Sequence, residues 1–195
     1  MSTSKDGASK GSIERFGTAI VGTGFSGLGM AMKLAERGDR DFVIFEKASS
    51  VGGTWRENHY PGCACDVPSH LYSFSFAPNP RWSRAFSPHH EIRAYLERCA
   101  NDAGLQPHLR FDCPVTRAVF DEARGVWRLS TPRGDVEARD LVFGVGALSR
   151  PALPRFEGME TFEGPSFHSA AWDHSVPLGG KRVAVVGTGA SAIQI

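Results

Sequence analysis

The stretch GTAIVGTGFSGLGMAMKLAERGDRDFVIFE, residues 17–46, holds two apolar runs separated by a segment of helical period. Residues 17–22 show the short continuous apolar pattern of a buried strand. From Phe25 to Arg37 the apolar positions Leu28, Ala31, Met32 and Ala35 recur at helical spacing, and Gly38 ends the segment. Residues 41–46 repeat the buried-strand pattern. Strand, helix and strand in that order form a βαβ unit, which predicts a parallel sheet with helices against it.

Between the first strand and the helix stands Gly22-Thr23-Gly24-Phe25-Ser26-Gly27, a G-x-G-x-x-G in the strand-to-helix setting of a dinucleotide-binding turn. Gly22 permits the tight turn, Gly24 lets a diphosphate approach the backbone, and Gly27 lets helix and strand pack closely. The unpaired N–H groups of the helix start, at Phe25 and Ser26, receive the anion. Glu46 ends the second strand about 20 residues past the last glycine, where a carboxylate can accept both ribose hydroxyls of an adenosine moiety. The same charge repels a 2′-phosphate, so this site is expected to hold FAD or NAD rather than NADP.

Outward from this unit, residues 50–88 are dense in Gly, Pro and aromatics, a length that suits a functional wall better than a passive connection. Ser87 as N-cap and Pro88 as first helical residue predict a helix to about Ala103, with Ile92, Tyr95, Leu96 and Cys99 on its buried stripe. Three short strands, around VTRAVFD, GVWRLST and VEAR, then predict an antiparallel meander between Val115 and Asp140. DLVFGVGA, residues 140–147, reads as a further buried strand. A second irregular stretch runs to Pro177, and Lys181 to Val186 reads as the strand of a new sheet. It leads into a second fingerprint, Gly187-Thr188-Gly189-Ala190-Ser191-Ala192. Two such turns in one polypeptide point to two dinucleotides and to electron transfer between them; a duplicated domain with one unused site is the alternative. The strand and short helical start at the end of the chain are expected to be a domain only begun.

The chain has 195 residues and a net charge of +1, with Lys+Arg 22 against Asp+Glu 21, which offers no concentrated positive face for nucleic acid. No run approaches the roughly 18 apolar residues of a membrane span, and the opening MSTSKDGASKGS has no apolar signal core. A cytoplasmic protein is expected. Cys63, Cys65, Cys99 and Cys113 lack zinc-like spacing and are expected to be mostly unpaired, and His59, His70, His89 and His90 have no convergent ligands, so no metal is expected.

The link between the two units carries Phe162-Glu163-Gly164-Pro165-Ser166-Phe167-His168-Ser169-Ala170-Ala171-Trp172-Asp173. Taken bare, His168 is either a general acid or a hydrogen-bonded hinge residue. The pattern F-x-G-x-x-x-H-x-x-x-W-D, with the fingerprints GTGFSG and GTGASA and the segment GGTWRENHYPGCACDVPSHLYSFSF, resembles the flavin-dependent Baeyer-Villiger monooxygenases, class B flavoprotein monooxygenases. The resemblance runs from about Phe16 over nearly the whole chain. Relatives that oxygenate amines and sulfides commonly have Phe or Tyr in place of Trp172.

Residues 1–14, which open rich in Ser, Gly and Lys, are expected to be a disordered tail. Behind it the resemblance implies an α/β chain: a Rossmann-like FAD-binding domain over 15–150 with a central parallel sheet and an antiparallel meander, expected to need a C-terminal return segment for completion, a linker over 151–179, and the start of a Rossmann-like NADPH-binding domain over 180–195. It places Gly52, Gly53, Thr54 and Trp55 in a loop lining the flavin, Tyr72 against the flavin, and Asp66 in the active site. It extends the FAD contacts to Lys47, Val115 and Gly146 and assigns Gly187, Gly189, Ala190 and Ser191 to NADPH. His168 is implied to couple NADPH binding to turnover, with Trp172 and Asp173 anchoring the same linker. The implied reaction inserts one atom of O2 beside a ketone carbonyl through a C4a-peroxyflavin, giving an ester or lactone. It needs an arginine that Asp66 orients; Arg56, Arg81 and Arg84 do not match its setting, so it is expected beyond residue 195. N- or S-oxygenation is the alternative activity, and a passive FAD-binding or misfolded piece the alternative for residues 1–195 alone. A ketone and O2 are the implied partners, with a monomer and a homodimer both open.

Overall fold

The computed structural model describes residues 12–195. The chain opens with β1 (Glu14–Val21), α1 (Phe25–Glu36) and β2 (Phe42–Phe45). β1 and β2 pair in parallel with Thr18 opposite Phe42 and Val21 opposite Phe45. Both are apolar on both faces because both faces are covered. Ile20, Phe42 and Ile44 point into one cluster with Leu28 and Ala31 of α1, while Ala19, Val43 and Phe45 point into another. Residues 1–11 of the expected tail lie outside the described residues. Of the rest, Glu14 is already in the sheet, so regular structure begins inside the expected tail: the N-terminal half of β1 has a partner in the late strand β6.

Past α2 (Thr54–Glu57), the long loop runs to α3 (His89–Asp102), whose buried face is Ile92, Tyr95, Leu96, Cys99 and Ala100. Its start corrects the expected cap. Pro88, in extended conformation, is the N-cap. The Ser87 hydroxyl is fully buried and shares a 2.6 Å hydrogen bond with Ser69 Oγ, so it ties the loop together rather than capping the helix.

β3 (Leu109–Arg110), a strand with no signal in the sequence, adds to β2. The meander follows as β4 (Arg117–Asp121), β5 (Val126–Thr131) and β6 (Gly134–Phe143). The sheet order is β3-β2-β1-β6-β5-β4. The separate strands expected at VEAR and DLVFGVGA are one continuous strand. β6 pairs antiparallel with β5 and parallel with β1, and so joins the two halves of the sheet. Its second half is not the buried run expected: Leu141 and Val142 are half-buried and Phe143 is exposed.

The segment 151–189 is irregular apart from two 3₁₀ turns, Met159–Thr161 and Ser169–Ala171, and is followed by α4 (Ala190–Gln194). The strand expected at Lys181 to Val186 does not form. No neighbouring strand lies beside it among the described residues, so its backbone has no ladder to join. No described helix is long and apolar enough to cross a membrane.

Candidate functional site

At the carboxyl ends of β1, β2 and β6 lies a cleft of about 610 Å³, at the point where the chain crosses from one side of β1 to the other. That is where open parallel sheets bind ligands. Its floor is made of backbone. A Cβ on Gly27 would stand 1.8 Å from Gly22 O, and one on Gly22, whose φ is 103°, would stand 2.5 Å from Gly144 O. The start of α1 and the ends of β1 and β6 therefore meet with no side chain between them. Gly24 is the N-cap of α1 and supplies no side-chain cap, which leaves the first helical N–H groups for a ligand. Across from it, Gly53 comes so near that a Cβ would lie 3.1 Å from Gly24 Cα, and Gly52 N–H donates to Thr23 O at 3.1 Å. A helix start whose N-cap has no side chain, bordered by a second glycine turn, fits the diphosphate of a dinucleotide.

Glu46 sits beside this cradle, buried. Its Oε2 accepts from Thr23 N–H (3.0 Å) and Thr23 Oγ–H (2.6 Å), and its Oε1 from Ala48 N–H (3.0 Å) and Arg56 Nη2 (3.2 Å). Burial pushes the carboxyl pKa up, but the Thr23 hydroxyl, the Ala48 amide, the Arg56 charge and the Thr23 amide together hold it below the ordinary carboxylate value. Four protein donors fill its acceptor positions, so ribose hydroxyls would exchange with donors already in place. Arg56 is equally committed, donating also to Ser50 O and Glu57 Oε1. Thr23 and Arg56 were not legible as site residues: one fills a variable position of the fingerprint and the other follows Trp55 with no periodic signal.

The wall is aromatic. Trp55 Nε1–H donates to Tyr72 Oη at 3.2 Å, and Phe25 meets the Tyr72 ring edge-on with centroids 4.9 Å apart. Burial pushes the Tyr72 phenol up. Ser26, Thr54, Lys47, Val115 and Gly146 also line the cleft. Lys47 Nζ donates to Ser149 O at 3.2 Å, which ties the end of β2 to the chain leaving β6. Gly146 has a φ of 69°, but a Cβ there would meet nothing within 4 Å, so its turn rather than crowding by protein atoms calls for glycine. Another hollow, of about 700 Å³, is walled by Glu14, Arg110, Arg128, Arg133 and Asp135, and no fingerprint residue reaches it.

Asp66 and His168 are not brought into the cleft. Asp66 is exposed in the loop between α2 and α3. His168 is the N-cap of a 3₁₀ turn, where Nδ1 accepts from Ala170 N–H at 3.0 Å. The linker nonetheless folds back on the loop before Asp66. His174 Nε2 and His59 Nδ1 share a 2.8 Å hydrogen bond, and the Tyr60 and Trp172 rings lie 6.3 Å apart. The second fingerprint repeats the backbone of the first: Gly187 has φ 132°, and Gly189, N-cap of α4 at φ −76° and ψ 174°, matches Gly24 at −80° and −167°. Ala190 and Ser191 form the first turn of α4. The four cysteines are buried free thiols.

Two family models match the chain: an NAD(P)-binding Rossmann-like domain over residues 20–88, and L-lysine 6-monooxygenase/L-ornithine 5-monooxygenase over residues 67–195. A Baeyer-Villiger monooxygenase of Streptomyces coelicolor is 57% identical over 182 residues, 93% of this chain and 35% of the relative. One of Pseudomonas aeruginosa is 55% identical over 177 residues, 90% of this chain and 34% of the relative. The crystal structure of cyclohexanone monooxygenase from Rhodococcus sp. Phi1 bound to NADP+ superposes with a TM-score of 0.84 at 37% identity, over 94% of this chain and 35% of that one. The chain thus spans about a third of the length of the curated relatives it matches.

Proposed function

The chain belongs to the Baeyer-Villiger monooxygenase family, and from that premise we propose that the protein is an FAD- and NADPH-dependent monooxygenase acting on a ketone. Ketone, O2, NADPH and a proton give an ester or lactone, water and NADP+. The observation that carries this reading is the glycine cradle with Glu46 at its edge, joined by the 162–173 linker to a second turn of the same backbone shape. Residues 15–150 form the FAD-binding unit, 151–179 the linker, and 180–195 the start of the NADPH unit.

FAD held in this cleft would supply the redox chemistry of hydride acceptance and O2 activation. The residues of this chain bind and shape. N–H groups at the start of α1 hold the diphosphate, and Glu46 accepts from the ribose in exchange for part of the hydrogen bonding that Thr23, Ala48 and Arg56 now give it. Trp55 and Tyr72 wall the ring system and exclude water, which strengthens every electrostatic contact in the site. Arg56, bound to Glu46 and Glu57, stays with the ribose end. Asp66 is assigned to the active-site loop, and His168, engaged with Ala170 N–H, to a conformational role in the linker. A cytoplasmic setting suits the buried free thiols.

A second reading, N-oxygenation of a lysine- or ornithine-like amine, is favoured by the family model over residues 67–195. Incubating the full-length polypeptide with FAD, NADPH, O2 and a panel of cyclic, linear and aryl ketones, with lysine and ornithine alongside, separates the two. Esters or lactones are expected. Hydroxylated amines without ester would sink the ketone reading. His168→Ala is expected to slow NADPH-dependent turnover at least about tenfold while FAD content holds; equal loss of both would assign His168 to folding.

A further inference from the structure

The loop after the Gly52-Gly53 turn contains an extended strip, residues 63–65, whose hydrogen bonds run to two sides. Cys65 N–H donates to Ser87 O at 2.9 Å and His89 N–H donates to Cys63 O at 3.0 Å, an isolated antiparallel bridge centred on Ala64 and Pro88. In an extended chain the residue between two such contacts turns its own N–H and C=O the other way. That other side is occupied by Gln194 of α4. Its Nε2–H donates to Ala64 O at 2.9 Å, and its Oε1 accepts from Ala64 N–H at 3.4 Å and from Tyr60 Oη–H at 2.7 Å. The Gln194 backbone comes close as well: a Cβ on Gly62, where φ is 85°, would stand 2.6 Å from Gln194 O. A side-chain amide offers one donor and one acceptor side by side, as a neighbouring strand would. A carboxylate would lose the donor.

We infer that Gln194 is a positioning residue that pins the second glycine turn to the loop of residues 60–66. A nicotinamide dinucleotide seated on the turn at Gly187 and Gly189 then steadies the strip leading to Asp66 and, through Tyr60, the linker residue Trp172. This rests on the reading of the second turn as the NADPH site.

In the full-length polypeptide, Gln194→Ala, Gln194→Glu and Tyr60→Phe are compared with the parent for FAD content, amide hydrogen exchange at residues 62–66 with and without NADP+, and KM for NADPH. The parent is expected to show NADP+-dependent protection of the strip. Gln194→Ala keeps its FAD, loses that protection and raises KM for NADPH about tenfold, the loss of one to two net hydrogen bonds. Gln194→Glu follows it, since the donor to Ala64 O is gone, and Tyr60→Phe moves the same way by less. Unchanged exchange and KM in Gln194→Ala overturn the assignment. So does a parallel loss of FAD and fold when Tyr60→Phe leaves the exchange unaltered. Absence of NADP+-dependent protection in the parent overturns the coupling. Exchange needs only NADP+, so it judges Gln194 whichever oxygenated product the enzyme proves to make.

Discussion

Glu46 receives four hydrogen bonds while buried, the one from Arg56 being also an ion pair, so its removal unsettles more than a ribose contact. Glu46→Gln is expected to weaken FAD binding about tenfold to hundredfold, ~1.4–2.8 kcal/mol, because one amide cannot accept from all four donors. Titration of FAD release by flavin fluorescence measures it. The folded pKa lies below the ordinary value, so the stabilisation is fully present above about pH 4.5 and is lost as pH falls through that lower folded value. The Gln variant shows no such step. Glycines divide just as sharply. Gly27→Ala puts a Cβ 1.8 Å from Gly22 O and is expected to abolish FAD binding, whereas Gly125→Ala, at φ 63° in open space, costs only about 1 kcal/mol of backbone strain by thermal melting. The fingerprint announced Gly22, Gly24, Gly27 and Glu46 because their spacing is fixed by the ligand. Thr23 and Arg56 serve that carboxylate from positions that only the folded loop brings near.

At the scale of elements, α3 shows why its body was legible and its start was not. Ile92, Tyr95, Leu96 and Cys99 follow helical period, and all are buried. The cap depends on a tertiary choice, since Ser87 has a better partner in buried Ser69 than in its own helix. Tyr95 binds the helix to the aromatic loop: its hydroxyl donates to Ala77 O and accepts from Phe74 N–H, both at 2.8 Å. Tyr95→Phe strands both backbone groups and is expected to destabilise by about 1–3 kcal/mol, read from denaturant melts. Residues of β6 looked like two strands because their surroundings change midway. The first half is packed against the meander, while the second ends exposed at Phe143.

Across the whole molecule, Glu137 of β6 gathers Arg124 in two short hydrogen bonds and Arg15 of β1 in a third, which draws its carboxyl down to about 2. Its contribution is complete above the ordinary carboxylate value and fades as pH falls through about 2. Glu137→Gln is therefore expected to lower Tm at pH 7 by a few degrees, the gap closing in strong acid; a gap that persists at pH 2 would contradict this. The parallel core and the meander were readable from local patterns, but β3 was not, because two residues carry no period. The strand at Lys181 to Val186 was overread for a related reason: an apolar run becomes a strand only where a ladder awaits it. The length of β6 also sets a timetable for biosynthesis. β1 and β2 can pair early, but β1 keeps one bare edge until Val136 to Phe143 have been made, and the Gly22–Gly144 contact waits with them. A nascent chain therefore carries an unguarded strand and half a cleft floor for roughly a hundred residues of synthesis, about 5–20 s at ordinary elongation rates. FAD capture comes after that interval, and it is during it that a chaperone has the most to protect.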